Sequence, residues 1–243
     1  MPTLIKFLTG AGHGSRRACF QLIAQGKVTV NSAPATGTTL EIDETKDVVE
    51  VAGSRIKALE ANVYLKINKP LGVVSAVSDA RGQRTVTDLV PDEYRHLRLF
   101  PVGRLDKDST GLILMTNDGD LAYQLTHPKY EFEKEYHFLV NNELTAAQVD
   151  LLQTGVTIDG QVTVPSTVVK VYGSKGHWYS ITLREGRKRQ VRRMLVTVDN
   201  PLRSLRRVRI HTLSLDNLSM GEAQPLTSEE LAALRTEWPR LQQ

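Results

Sequence analysis

The chain has 243 residues, 40% of them hydrophobic, with 31 Lys and Arg against 27 Asp and Glu, so it can fill one large domain or two smaller ones and is neither disordered nor collagen-like. The single Cys19 excludes an internal disulfide and a cysteine cluster for zinc or iron and sulfur, and it fits a reducing compartment. No run approaches the ~20 apolar residues of a membrane span and the N-terminus lacks signal-peptide order, so the expectation is a cytoplasmic, membrane-free monomer.

The first 60 residues predict a small unit of two helices and a hairpin. Ile5, Leu8 and Ala11 have helical spacing, which Gly10, Gly12 and Gly14 interrupt. Ser15 is placed to cap a second helix that runs through Ile23 and is closed by Gly26. Lys27 to Asn31 alternates as a strand, and Asp47 to Val51 is a second. Arg16 and Arg17 fall in the first turn of the second helix, where the macrodipole disfavours cations. With Lys27 they face no acid before Glu41, a pattern that suits a phosphate partner as well as a plain solvated face.

Residues 61–243 change pattern, to many short strands with interspersed helices. Strands are expected at Val63 to Asn68, Val73 to Val77, Leu99 to Val102, Leu112 to Thr116, Tyr136 to Val140 and Trp178 to Leu183. Leu205 to Leu215 reads as a strand with a break. Helices are expected from the Asn117-Asp118-Gly119 turn to Leu125, from Thr145 to Gly155, over Gln190 to Val196, and from the capping box at Thr227 to Arg235. Helices and strands do not alternate one to one, which argues for an α+β fold with a mostly antiparallel sheet.

Charge concentrates between Arg184 and Arg209, where ten basic residues meet only Glu185 and Asp199. That stretch carries +8 of a formal +4, leaving −4 on the remainder, and a local excess of this kind is the footprint of a polyanion or a solvated basic face. The six histidines show no metalloprotease spacing, and the chain has no GxGxxG, GxxxxGK[ST] or GxSxG. What remains is carboxylate chemistry beside a basic surface. In Phe100 to Asp120 an apolar strand enters Gly103 and then Arg104-Leu105-Asp106, and in extended structure Arg104 and Asp106 point the same way. An aspartate there is either a nucleophile or base, or an ordinary turn and capping residue. A hydrolase with Asp108 or Asp118 as a second acid is another way to use it.

The segment GRLDKDSTGLILMTNDG at 103–119 resembles the catalytic motif of the RsuA-type ribosomal RNA pseudouridine synthases, and three further segments agree in order: YLKINKPLGVVSA at 64–76, HPKYEFEKEY at 127–136 and REGRKRQVRRM at 184–194. IKFLTGAGHGSRRACFQLIAQGKVTVN at 5–31 resembles the S4 RNA-binding domain of that family. The resemblance implies an S4-like domain over 1–60 and a catalytic domain over 61–243, with a mixed, mostly antiparallel sheet flanked by helices.

It further implies conversion of a uridine in ribosomal RNA or a ribosomal precursor to pseudouridine, without metal or cofactor. Asp106 would be the nucleophile toward ribose C1′ or uracil C6. Arg104 would hold the flipped nucleotide, Tyr136 would stack on the base, and Arg192 would pair with the catalytic carboxylate. Lys134 would support the active site or stand as a surface lysine. Arg187, Lys188, Arg189 and Arg193 would meet RNA phosphates, as would Arg16, Arg17 and Lys27. The HPKYEFEKEY and GRKRQVRRM segments lean toward the large-subunit RNA, with small-subunit RNA or a noncatalytic assembly role as alternatives. Departures from the pattern are the absence of a Gly-His pair in Val198 to Pro201, His211 in place of a common glycine, and His13-Gly14 in the S4-like segment.

Overall fold

The computed structural model describes residues 1–57 and 61–236. The boundary expected at residue 60 falls among residues 58–60, outside the described residues. In the N-terminal segment, α1 (Leu4–Gly10) and α2 (Arg16–Ala24) pack on a four-stranded sheet of β1 (Val28–Val30), β2 (Ala33–Pro34), β3 (Val49–Val51) and β4 (Ser54–Ile56), in the order β2-β1-β3-β4. Ser15 accepts the amide of Ala18 at 3.1 Å, so α2 starts at the predicted cap. Leu4, Leu8, Cys19, Ile23, Val28, Ile42 and Val49 form a core of their own beneath these elements.

Nine of the remaining strands build one sheet. In chain order its elements are β5 (Tyr64–Lys69), β6 (Phe100–Val102), β7 (Thr110–Thr116), α3 (Gly119–Thr126), β8 (Lys134–Val140) and α4 (Ala146–Thr154). A separate small hairpin, β9 (Thr157–Ile158) and β10 (Gln161–Val162), follows. Then come β11 (Thr167–Lys170), β12 (His177–Leu183), α5 (Gln190–Thr197), β13 (Leu202–Ile210), β14 (Leu213–Ser214), β15 (Ala223–Pro225) and α6 (Ser228–Thr236). The order is β11-β12-β8-β13-β7-β5-β15, with β14 on β13 and β6 on β7, and every pairing is antiparallel except β13 with β7. The expected α+β class and mostly antiparallel sheet are therefore present.

One apolar cluster lies under the β8–β12 half with α4 and α5. Two others sandwich the β5–β7 half, which explains why all six side chains of β5 are buried. The predicted strand at Val73 to Val77 does not form. Val74 makes only an isolated bridge to Thr85, and the segment instead supports the loop that carries Asp106 through the Ser75 side chain and the Lys69 bond to the Val73 carbonyl. His211 has a φ of 52°, a left-handed turn conformation that favours glycine, and this accounts for the glycine expected there. Among the described residues no helix is long and apolar enough to cross a membrane.

Candidate active site

The loop between β6 and β7 is fixed on both sides. Gly103 turns it with a φ of 74°, and the backbone N–H of Ser109 donates to the Asp106 carbonyl at 3.0 Å. Buried Ser75 donates from Oγ to the Leu105 carbonyl (2.8 Å) and accepts the Leu105 amide (3.1 Å), locking that peptide plane. The amide of Gly72 donates to the Lys107 carbonyl at 2.9 Å, which docks the 69–75 segment onto the loop. That segment is itself held by Lys69, fully buried, whose ammonium donates to the carbonyls of Pro70 (2.9 Å) and Val73 (2.8 Å). Burial pushes the Lys69 ammonium down to about 8, against the opposing pull of the Asp108 and Asp106 charges.

These constraints leave a cleft whose walls include Leu71, Val74, Arg104, Asp106, Asp108 and Arg189. The Asp106 side chain remains 31% exposed at its rim. Arg104 and Asp106 reach the same cleft, as their two-residue spacing predicts. The guanidinium that approaches the Asp106 carboxylate is that of Arg189, 3.7 Å away. Arg192, expected to pair with that carboxylate, instead meets Asp108: its Nη2 lies 3.1 Å from Oδ2 and donates to the Asp108 carbonyl at 2.7 Å. Arg189 also holds Asp108, at 3.1 Å. Partial burial works to raise the Asp108 carboxyl, but the Arg189 hydrogen bond and the charges of Arg192 and Arg189 hold it below the usual carboxylate range. Two arginines at the start of α5 thus share one aspartate, and it is Arg189, not Arg192, that approaches Asp106.

Tyr136 stands apart from these walls. It lies on β8, partly buried, opposite Arg207 of β13 and Ile181 of β12. Arg207 is the link that the sequence reading missed. It is 4% exposed, its Nε donates to the Leu112 carbonyl at 2.8 Å, and its Nη1 reaches the Arg104 carbonyl at 3.5 Å. Its backbone pairs with Gly111 of β7 on one side and Tyr136 of β8 on the other, so one residue ties the tyrosine's strand to the aspartate's loop. Lys134, two residues from Tyr136, is pushed down to about 8 by burial and by the charge of Arg207.

The other predicted RNA contacts divide. Arg16, Arg17, Lys27 and Lys188 are exposed. Arg187 is not free to meet phosphate: Nε donates to Glu185 (2.8 Å), Nη1 to the Gln161 carbonyl (3.1 Å) and Nη2 to the Val162 carbonyl (2.8 Å). Its job is to bind the β9–β10 hairpin to the start of α5. Arg193 is ion-paired with Asp159 of the same hairpin. Chemically, the site offers a partly exposed carboxylate at the rim of a cleft, on a rigid loop, with guanidinium groups around it. That arrangement suits attack on an electrophilic carbon of a polyanionic substrate.

A family model described as RNA pseudouridylate synthase matches residues 63–197. The ribosomal large subunit pseudouridine synthase B of Bacillus subtilis (strain 168) is 37% identical over 238 residues, covering 97% of this chain and 96% of the relative. The dual-specificity RNA pseudouridine synthase RluF of Escherichia coli (strain K12) is 38% identical over 236 residues, covering 95% of this chain and 77% of the relative. A crystal structure of a pseudouridylate synthase superposes with a TM-score of 0.68 and 27% identity, over 96% of this chain and 100% of its own. The chain belongs to the RNA pseudouridylate synthase family and is an RNA pseudouridine synthase.

Proposed function

We propose that this enzyme isomerises a uridine of ribosomal RNA, in the large subunit by preference, with Asp106 as its nucleophile. The observation that carries the reading is the Asp106 carboxylate, held at the cleft rim by a loop whose backbone is bonded to Ser75, Gly72 and Arg207. The reaction breaks the bond from uracil N1 to ribose C1′, forms the bond from C5 to C1′, and releases the C5 proton. It is redox-neutral and uses no cofactor. The target base leaves its stack to reach the cleft, at a cost that is least in a loop. Arg104 and Arg189 flank the carboxylate and are placed to hold the nucleotide's phosphates. Tyr136, outside the cleft walls but joined to the Asp106 loop through Arg207, is the ring that meets the base once it is flipped, and Arg192 acts indirectly by fixing Asp108 beside Asp106. Residues 1–60 form an S4-like RNA-binding domain with Arg16, Arg17 and Lys27 as its phosphate contacts. The large-subunit preference is supported by the B. subtilis relative, and the E. coli relative adds a dual-specificity precedent.

The test is tritium release from RNA labelled at uridine C5, with large-subunit and small-subunit transcripts and free subunits as substrates. Wild type is expected to release tritium from large-subunit RNA, and Asp106→Asn to fold, bind RNA and lose about 10⁴-fold or more in rate. Turnover by the variant near the wild-type rate would reject Asp106 as nucleophile, and release from small-subunit RNA alone would reject the preference.

A further inference from the structure

The reaction leaves unused a ring cluster on α3 and the turn after it. The ring centroids of Tyr123 and His127 are 4.8 Å apart, and Tyr130 stands 6.3 Å from each, edge-on to both. The Lys129 ammonium lies 4.6 Å from the Tyr130 centroid and 5.6 Å from that of Tyr123. His127 Nδ1 accepts the Lys129 amide at 3.2 Å, so the turn itself fixes the imidazole. Tyr130 packs in part against the core beneath and His127 is half-buried, which leaves Tyr123, 49% exposed, as the ring open to a stacking partner. Lys129 makes no ion pair with a carboxylate among the described residues, so its charge is available to an incoming anion.

The position of the cluster says what would meet it. Asp120 and Tyr123 are three apart on one face of α3, and His127, the cap just past its end, sets its ring against Tyr123. At one end of that face Asp120 takes the ammonium of Lys6, on α1, at 2.8 Å. At the other end, the Thr126 methyl lies against Gly103, 3.5 Å from where a Cβ would stand, and Gly103 precedes Arg104 of the cleft. The rings therefore line the helix that joins the basic N-terminal segment to the cleft. Unpaired nucleotides beside a flipped base expose their faces, and aromatic rings with a nearby cation are what such faces bind.

We infer that Tyr123, His127 and Tyr130 form a stacking platform for an unpaired nucleotide flanking the target uridine, with Lys129 meeting its phosphate. The inference rests on the reading that ribosomal RNA is the substrate. The full chain and a large-subunit ribosomal RNA transcript test it, by equilibrium binding across a salt series. Removing a stacking ring weakens binding by roughly five- to 150-fold. Tyr123→Ala is expected to lose at least about fivefold in affinity with its salt slope unchanged. Tyr123→Phe should stay within about twofold of wild type, because stacking needs the ring and not the hydroxyl. Lys129→Ala should lower the salt slope by about one phosphate contact. Matching thermal unfolding of Tyr123→Ala and wild type would show that the half-exposed ring is not holding the fold.

Affinity of Tyr123→Ala within twofold of wild type would overturn the platform, and would be the result if the rings served a protein partner instead. Equal loss in Tyr123→Phe and Tyr123→Ala would overturn stacking as the mode. Wild type that binds RNA but releases no tritium would defeat the catalytic reading and leave the binding comparison standing. Wild type that binds no RNA would defeat both.

Discussion

Lys69 carries an ammonium into a place closed to water, and its hydrogen bonds to two carbonyls recover only part of the hydration it loses. The consequence is a pH dependence with a definite sign. A lysine whose folded-state value falls from 10.5 to about 8 binds fewer protons folded than unfolded between those limits. Its destabilising contribution is full below about 8 and is relieved as pH rises toward 10.5. At about 1.4 kcal/mol per pH unit, the full relief between about 8 and 10.5 is roughly 3.5 kcal/mol. Comparing denaturant unfolding of wild type and Lys69→Met at pH 7, 8.5 and 10 isolates this part, since the other titrating groups largely cancel. Wild type is expected to gain on the variant as pH rises, and a constant difference would mean that the ammonium keeps its ordinary value. The cost is tolerated because Lys69 fixes the segment from which Gly72 and Ser75 grip the Asp106 loop.

At the scale of elements, the junction of β7 and β13 decides whether the site exists. It is the sheet's only parallel pairing among the described residues, and it needs a glycine at 111. Gly111 has a φ of 104°, and a Cβ there would lie 2.7 Å from the Arg207 nitrogen and closer still to its carbonyl oxygen. Gly111→Ala should therefore cost about 3 kcal/mol or more in urea unfolding, since both the left-handed backbone and the backbone clash oppose it. A loss under ~1 kcal/mol would show that the two strands can separate without harm. This junction also marks where the sequence stops being legible. Caps and turns are local, so Ser15, Thr145 and Thr227 each begin a helix where their side chains predict, and Asp118 of the predicted turn caps the helix that follows it. Alternating strands such as β8 and β12 also appear where expected. The short strands β4, β9, β10, β11 and β15 carry two to four residues each, too few to show a period, and they form because a partner strand is present. Arg207 was hidden for the same reason: among ten basic residues nothing local marks the one that is buried, because its partners lie 95 and 103 positions away.

Across the whole molecule, the +8 read from the sequence overstates the free charge between Arg184 and Arg209. Arg184 and Arg209 pair with Glu133, Arg187 with Glu185, Arg189 and Arg192 with Asp108, and Arg193 with Asp159. Arg207 is spent on carbonyls. Much of the basic segment is therefore the glue between α5, β13 and the Asp106 loop. The N-terminal arginines are the opposite case. Arg16 and Arg17 are exposed, make no ion pair among the described residues, and sit where the helix dipole opposes them, so their charge is left for a partner. Measured side by side, the two sets should behave differently. Replacing Arg16 and Arg17 together by Ala should reduce the slope of log affinity against log salt by about 1.5 with stability unchanged, since each phosphate contact contributes about 0.7 to 0.9. Arg187→Gln should leave that slope intact and destabilise the fold by about 1.5–3 kcal/mol, because the Glu185 carboxylate and two hairpin carbonyls lose their donor. The reverse pattern, a lowered slope for Arg187→Gln and none for the Arg16 and Arg17 pair, would place the RNA backbone along α5 and not along α2.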